Sequence, residues 1–510
     1  MRKLASVTIA LIIFFSCAGI RMSFSDLSLE GFSPLPPQTP KTLSQTFAHY
    51  IRGLLYDSQD KVDEAIEEYL QASALDSTAW AIRKKLAIDY IRSGQYDKAE
   101  QELLVVKKLK PDDKNVRLIL AHFYTAQEKF EEATAEYEEL QKTYPSDLEI
   151  LASLADLYVV QEKIEEAIAV YQKLLQEKPQ SAQIHFNLGT IYTKVNELDK
   201  AEEHFKKALE CDPEYMQAEL ALGLLSEVNQ DLPGAIEHYQ KALEVDPLNI
   251  GVYRRLAQTY YRDKRIEEAI RQYRFILKLK PNDINTYLEL AYVYLNQERP
   301  KDCIELLKEA QEYKASWGAT KEEEAQLYLM LGLAYIRNSQ EAEAIKAYKD
   351  SIEAQPASGV SYFYLGAAYE QSGRRREAYE ALKKSVELDE ANADALNYLG
   401  YMYADDGIKL DEAERLIDKA LEMDPDNGAY IDSLGWVYFR KGKIEEAKDL
   451  IEKAAGLLED AEIFEHLGDV YRTQGRMESA KEAYERALKL EPERESVKEK
   501  LRKCLILQRR

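Results

Sequence analysis

The chain has 510 residues, and its 68 Lys and Arg against 91 Asp and Glu give a formal net charge of −23. A chain this acidic repels phosphate backbones at long range, so its composition disfavours nucleic acid as a partner and favours other proteins. The low counts of Gly (21) and Pro (15) disfavour a turn-dense β fold, and the four scattered cysteines lack the spacing of a disulfide framework or a zinc site.

Residues 1–18 have the layout of an export signal, in which basic residues precede an uncharged apolar run and small residues follow it. Three outcomes are open. The stretch before Cys17 resembles a lipoprotein processing site, in which Cys17 becomes the lipidated first residue. Ordinary cleavage after Ala18 also fits, and residues 4–20 reach the lower limit for an uncleaved anchor. All three predict an extracytoplasmic protein: a membrane-associated lipoprotein of the bacterial envelope or, alternatively, a periplasmic or secreted protein.

Residues 19–45 are rich in Ser, Pro and other polar residues, and four prolines lie between positions 34 and 40. This composition is typical of a partly extended linker that does not pack against a core. We therefore predict a tether between the signal segment and the first folded unit.

From residue 46 onward the sequence repeats with a period of 34 residues, which is the mark of a repeat architecture. Small residues recur at this period, tyrosines recur nine positions before them, and further small residues lie three positions before the tyrosines. The first set is Ala65, Ala99, Ala133, Ala167, Ala201, Ala235, Ala269 and Cys303. The second set is Tyr56, Tyr90, Tyr124, Tyr158, Tyr192, Tyr260 and Tyr294, with Ser226 as the exception.

Each period contains two helical segments. Within residues 181–213, apolar residues recur at helical spacing up to Tyr192 and again from Ala201, with the polar stretch 196–199 between them. Gly189 and Ala201 are small, so we expect the two helix axes to approach closely there. A single hairpin cannot bury its own apolar face, and stacking on neighbouring hairpins completes the core.

The register of small residue, tyrosine, alanine and closing proline at this period resembles the tetratricopeptide repeat. The resemblance implies an all-α fold, a right-handed α-solenoid of about thirteen helix-turn-helix hairpins with a C-terminal capping helix. In that frame units 1–8 cover residues 46–317, residues 318–324 interrupt the array, units 9–13 cover residues 325–494, and residues 495–510 form the cap. The apolar side of the cap is expected to carry Val497, Leu501 and Leu505.

The sequence contains no phosphate-binding glycine loop, no GxSxG elbow and no HExxH motif. His204 and His238 lie one period apart, and we interpret them as solvated residues of the outer helices rather than as a shared metal site. Glu-Glu pairs fall at the starts of second helices, where they suit the helix dipole. We therefore expect no enzymatic activity, no metal and no cofactor.

The resemblance also implies where partners bind. In tetratricopeptide proteins, positions 2, 5, 9 and 12 of each first helix line an inner surface that holds peptides. In units 7–12 these positions are largely aromatic and aliphatic, and we predict that they bind an apolar segment of a partner. The alternative is that these side chains pack against neighbouring first helices. The set, called here the groove strip, is Tyr261, Tyr292, Leu295, Leu333, Ile336, Phe363, Tyr401, Trp436 and Phe439.

Residues 397–454 resemble the C-terminal units of tetratricopeptide proteins associated with the bacterial envelope. This likeness implies a non-enzymatic scaffold or adaptor that binds other proteins or peptide segments and is tethered to a membrane through its N-terminus. Two alternatives are open: a soluble periplasmic chaperone for apolar segments, and a regulatory subunit of an envelope enzyme complex.

Overall fold

The computed structural model describes residues 40–314 and 318–508, and within these ranges the backbone forms 27 α-helices and no strand. The predicted signal segment 1–18, the candidate lipidation site Cys17 and most of the predicted tether lie outside the described residues. None of the helices described is long and apolar enough to cross a membrane.

The chain divides into two units between Leu225 and Ser226. The first contains α1 (Pro40–Ser58), α2 (Val62–Leu75), α3 (Trp80–Arg92), α4 (Tyr96–Leu109), α5 (Lys114–Ala126), α6 (Phe130–Thr143), α7 (Leu148–Val160), α8 (Ile164–Glu177), α9 (Ala182–Lys194), α10 (Leu198–Cys211) and most of α11 (Met216–Val228). The second contains α12 (Leu232–Val245), α13 (Ile250–Arg262), α14 (Ile266–Leu279), α15 (Ile284–Asn296), α16 (Pro300–Glu312), α17 (Lys321–Arg337), α18 (Glu341–Ala354), α19 (Gly359–Gln371), α20 (Arg375–Leu388), α21 (Ala393–Asp406), α22 (Leu410–Met423), α23 (Gly428–Arg440), α24 (Ile444–Leu457), α25 (Ala461–Thr473), α26 (Met477–Leu490) and α27 (Glu495–Gln508). The predicted fold class, an all-α solenoid of two-helix repeats, is confirmed.

The hairpin of α9 and α10 illustrates how the repeat folds. The Ser181 side chain accepts a hydrogen bond from the backbone N–H of Ile184 and so caps α9. Gly189 lies against the Phe205 ring so closely that an added Cβ would be 2.5 Å from the ring atom Cε1. The prediction that Gly189 is small to let the helices approach is therefore confirmed.

The repeated tyrosines are core residues. The first-helix tyrosines from Tyr90 to Tyr294 are buried, and so are second-helix tyrosines such as Tyr69 and Tyr484. A basic residue at the start of the second helix often covers the first-helix ring, as Arg265 does over Tyr260 at 4.6 Å from the ring centroid. Most of the aromatic content thus serves packing within and between hairpins.

Two predicted boundaries need correction. The tether was predicted to reach residue 45, but α1 already begins at Pro40, because proline suits the first position of a helix. The interruption was predicted at residues 318–324, but α17 begins at Lys321. Thr320 and Glu323 form a capping box that starts the helix there.

The C-terminal helix α27 follows the last hairpin and packs on α26. Val497 and Cys504 are buried and Leu501 is half-buried, whereas Leu505 is exposed. The predicted apolar side is therefore wrong at its last member, because residues three and four apart share a helical face and Cys504 takes the buried position.

Candidate functional site

The groove strip starts with two tyrosines. All nine of its members are described, and Tyr292 alone among them is classed as exposed, at 56%. The Tyr292 ring stands edge-on to that of Tyr261, with the centroids 6.2 Å apart. The Asn296 amide donates a hydrogen bond of 3.1 Å to the Tyr261 hydroxyl. This end of the strip offers an accessible aromatic surface.

The middle of the groove strip is largely packed. Leu295 is buried, and Leu333, Ile336 and Phe363 are partly buried against the core of the second unit. The Phe363 ring meets that of Tyr398 edge-on, at a centroid distance of 6.0 Å. These contacts match the packing alternative, and a binding role for these residues stays a prediction.

The C-terminal end of the strip converges on Trp436, which is 8% exposed. Its indole stacks on the Phe439 ring at a centroid distance of 4.9 Å and on the His466 imidazole at 4.0 Å. The Tyr401 ring lies 6.1 Å from that of His466. We refer to Tyr401, Asp432, Trp436, Glu462 and His466 as the Trp436 cluster.

His466 and Asp432 form a buried pair, with His466 Nδ1 lying 2.8 Å from Asp432 Oδ2. Burial opposes protonation of the imidazole, but the charge and hydrogen bond of Asp432 outweigh it and raise the pKa of His466. The pair links α23 to α25 and fixes the ring that stacks on Trp436.

Tyr401 and Glu462 join α21 to α25. The Tyr401 hydroxyl donates a hydrogen bond of 2.5 Å to Glu462 Oε1. Burial, followed by the charge of Glu462, raises the pKa of Tyr401, so the hydroxyl keeps its proton. Glu462 Oε1 also lies 3.9 Å from Arg494 Nη2, and the Glu462 side chain is 44% exposed, so this edge of the Trp436 cluster faces solvent.

Three buried polar atoms near the cluster have no hydrogen-bond partner among the residues described. They are Asn397 Oδ1, Asp432 Oδ1 and Trp436 Nε1. Leaving a buried polar group unsatisfied costs about 1–3 kcal/mol, so such groups are uncommon in cores and call for an explanation. All three occupy first-helix positions at which the resemblance to tetratricopeptide proteins implies partner binding.

The three helices around the cluster are acidic. Together α21, α23 and α25 carry seven carboxylates and two arginines. The carboxylates are Asp394, Asp405, Asp406, Asp432, Glu462, Glu465 and Asp469, and the arginines are Arg440 and Arg472. Most of these carboxylates have basic partners from elsewhere in the chain, such as Arg375 of α20, which lies 3.0 Å from both Asp405 and Asp406.

The buried carboxylates of the last hairpin are neutralised by basic residues of the chain that follows it. Arg494 and Lys500 approach Glu465 at 2.6 and 2.7 Å, and Lys500 also pairs with Asp469. Burial would raise the pKa of Glu465, but these two cations outweigh it and the pKa is lowered. One hairpin earlier, Asp432 has only His466 as its partner among the described side chains.

The sequence reasoning missed four residues of this region. Asn397 and Asp432 hold inner position 5 and Glu462 holds inner position 2, but only aromatic and aliphatic residues were selected for the strip. His466 lies outside the inner positions, so its role depends on a contact between successive first helices. A count of charged residues at the inner positions would have found Asp432 and Glu462 but not Asn397, which is neutral.

The histidine interpretation needs correction for His204. Its ring is half-buried and stacks on the Tyr192 ring at a centroid distance of 5.4 Å. The Nδ1 atoms of His204 and His185 are 3.1 Å apart. Burial and then the neighbouring His185 lower the pKa of His204. Across the described part of the chain, no group of three or more His, Cys, Asp or Glu residues could hold a metal ion.

Family models described as tetratricopeptide repeats match much of the chain. They match residues 58–123, 182–215, 325–358, 365–428, 430–457 and 461–494, and a model described as a TPR repeat matches 155–196 and 229–264. Together these matches cover more than half of the sequence.

A TPR repeat-containing protein of Pseudomonas aeruginosa is 36% identical over 63 residues, which is 12% of this chain and 11% of that protein. The chain thus matches only a small part of that relative's length. Among solved structures, the APC/C hetero-tetramer Cut9–Hcn1 gives 16% identity, with 91% of this chain and 97% of that chain covered and a TM-score of 0.42. Yeast Tom70 gives 18% identity, 86% and 97% coverage and a TM-score of 0.36. The protein MamA gives 28% identity, 33% and 95% coverage and a TM-score of 0.30.

Proposed function

Because the chain belongs to the tetratricopeptide-repeat family, we propose that it is a non-enzymatic scaffold at the bacterial envelope that binds segments of partner proteins along the first helices α13 to α25. Repeats of this family form protein-binding surfaces. Function resides in the site rather than in the fold, so the proposal depends on particular side chains.

The observation that carries the proposal is the set of unsatisfied polar atoms in the Trp436 cluster. Asp432 Oδ1 accepts nothing and Trp436 Nε1 donates to nothing among the described residues, although both side chains are buried. A partner segment that enters beside Glu462 can supply both missing hydrogen bonds. The exposed Tyr292, at the other end of the groove strip, supplies an apolar contact of the kind that anchors partner chains.

A pull-down tests the binding surface. A bait of residues 40–510 is incubated with solubilised bacterial envelope, and captured proteins are identified by mass spectrometry. Buried Trp436 is changed to Phe rather than Ala, because truncating a buried Trp costs about 3–5 kcal/mol and risks unfolding. The Tyr292→Ala and Trp436→Phe double variant is expected to lose the proteins that the wild-type bait captures.

Leu248→Ala is the matched control, because Leu248 is 65% exposed but does not belong to the groove strip. This control is expected to capture the same proteins as the wild-type bait. If the double variant keeps its circular dichroism spectrum and captures as much partner as the control, the first helices are not the binding surface.

The envelope location has a separate test. Cleavage before Cys17, which makes the lipidated Cys17 the first residue of the mature chain, supports membrane tethering, whereas cleavage after Ala18 supports a soluble protein. Cells that express the full chain are labelled with radioactive fatty acid, and the Cys17→Ser variant is the control. Label in the wild type alone supports the tethered scaffold; no label in either chain contradicts lipidation.

A further inference from the structure

Two equivalent buried carboxylates of successive hairpins differ in their partners: the one in the last hairpin has two cations, and the one in the Trp436 cluster has none beyond an imidazole in the described part of the chain. Asp432 on α23 and Glu465 on α25 occupy the same inner position of successive hairpins, and both are buried. Glu465 has two cationic partners from the chain that follows it, Arg494 and Lys500. Asp432 has one imidazole partner, and its second oxygen is unsatisfied within the described residues.

The surroundings of Asp432 favour a cation over a neutral group. Two of the four carboxylates on α21 and α23, Asp405 and Asp406, pair with Arg375 of α20 at 3.0 Å, and the single basic residue of these two helices stands at the end of α23. That residue, Arg440, donates to the backbone carbonyl of Asp405 rather than to Asp432. A neutral amide would satisfy the free oxygen of Asp432 but would bring no positive charge to this buried carboxylate. A buried carboxylate is stabilised most by a charged donor.

We propose that the Trp436 cluster binds a cationic group of a partner chain, either an Arg or Lys side chain or a free N-terminus. This inference rests on the proposed function. The N–H groups of the cation donate to Asp432 Oδ1 and to Glu462 at the open edge of the cluster. The backbone carbonyl next to the cation accepts from Trp436 Nε1, so both unsatisfied atoms, Asp432 Oδ1 and Trp436 Nε1, gain a partner.

The route of entry follows from Tyr401. Its hydroxyl donates to Glu462, the member of the cluster that is most exposed to solvent. A cation that reaches Glu462 competes with this hydrogen bond close to the ring of His466, which is the partner of Asp432. The partner therefore arrives from the side of Glu462.

Peptides of defined charge test the inference with the purified full chain. Fluorescent five-residue peptides, acetylated and amidated, carry Arg or its neutral isostere citrulline at the centre, and a third peptide has a free N-terminus and no basic side chain. Affinities are measured by fluorescence anisotropy. The Arg peptide is expected to bind about tenfold or more tightly than the citrulline peptide. The free N-terminus peptide distinguishes the two sources of the cation.

Asp432→Asn is expected to weaken binding of the cationic peptides about tenfold or more and to leave the citrulline peptide unchanged. Asp411→Asn is the matched control, because the Asp411 side chain is 92% exposed and lies on a second helix. Trp436→Phe keeps the charge but loses the indole donor, so it should weaken the cationic and the neutral peptides alike. It serves as the second variant in case Asp432→Asn unfolds.

Equal affinity for the Arg and citrulline peptides, equal effects of the two Asp→Asn variants, or no binding of any peptide would each overturn the inference. A different result contradicts the proposed scaffold function: the Tyr292→Ala and Trp436→Phe bait captures as much partner protein as the wild-type bait. If the Arg and citrulline peptides bind equally but the double-variant bait loses its partner proteins, the cation site is rejected and the scaffold function is not.

Discussion

Arg92 is shared by three carboxylates in the first two hairpins. Its Nη1 lies 2.8 Å from both Asp57 Oδ1 and Asp89 Oδ1, and its Nη2 lies 2.6 Å from Asp60 Oδ1. Tyr69 donates a further hydrogen bond of 2.8 Å to Asp57. One cation therefore compensates more than one carboxylate, which favours uptake of a proton.

Asp89 is the carboxyl group that takes up this proton. Burial, and then the negative charge of Asp57, raises the pKa of Asp89 to about 7, although Arg92 opposes the change. The pKa in the unfolded chain is about 3.9. Because the folded state binds this proton more tightly, the stabilisation is complete below about pH 4 and is lost as the pH rises through 7.

We expect the helix α3, which carries Asp89, to lose roughly 2–3 kcal/mol of local stability between about pH 5 and pH 8. Hydrogen exchange of α3, corrected for the intrinsic effect of pH, measures this loss in the full chain. Asp89→Asn removes the titrating group and should make the stability of α3 independent of pH in this range. Asp60→Asn, at a 90% exposed side chain on the same arginine, should keep the wild-type slope. If the stability of α3 falls equally with rising pH in the wild type and in Asp89→Asn, the assignment of the proton to Asp89 is wrong.

The sequence predicts single residues well where one position repeats in every hairpin. The buried tyrosines and the close contact at Gly189 follow from the period alone. The pair of His466 and Asp432 does not, because it joins the first helices of two successive hairpins. The partial burial of Phe363 and the full burial of Leu295 also depend on side chains of the next first helix, whose size the repeat does not fix.

At the scale of the element, the turn inside each hairpin has a residue with positive φ. Glycine occupies this position at Gly94, Gly373, Gly442 and Gly475, among others. Non-glycine residues occupy it in many other hairpins, and Lys264 has φ of 60°. A side chain in the left-handed region costs about 1–2 kcal/mol relative to glycine, which adopts that conformation readily.

Lys264→Gly is therefore expected to stabilise the hairpin of α13 and α14 by about 1 kcal/mol. The control is Asp263→Gly, one residue earlier, where φ is −76° and glycine gives no such gain. Hydrogen exchange of α13 and α14 in both variants measures the difference. A loss of stability in Lys264→Gly equal to that in Asp263→Gly would show that the turn is not strained.

The period of 34 residues also predicts where most helices lie, but it fails at the two places where the chain leaves the repeat. Pro40 looked like part of a linker because prolines precede it, yet proline at a first helical position is favourable. Lys321 looked like part of an insertion, yet the capping box of Thr320 and Glu323 starts α17 early. Local capping decides helix ends where the repeat does not.

At the scale of the whole molecule, a solenoid has no single core, because each repeat contacts mainly its neighbours. The stability of the array is then close to a sum of contributions from single hairpins and from the contacts between neighbours. At each end of the array another element must replace the missing neighbour. In the second unit α27 fills that role for the last hairpin, since it covers α26 and brings Arg494 and Lys500 to the buried carboxylates Glu465 and Asp469.

Replacing Arg494 and Lys500 together by Met keeps most of the apolar contact but leaves Glu465 without its cations and Asp469 with Arg472 alone. Removal of the partners of buried charges is strongly destabilising, and we expect a loss on the order of 2–4 kcal/mol in α25 and α26. Hydrogen exchange should show this opening at the last hairpin and little change in α1 to α4, because the loss spreads only through neighbouring contacts. Lys503→Met, whose partner Glu499 is exposed, should leave both regions unchanged. An equal loss of protection along the entire chain would mean that the array opens as one cooperative body, and the description as a sum of neighbouring hairpins would then fail.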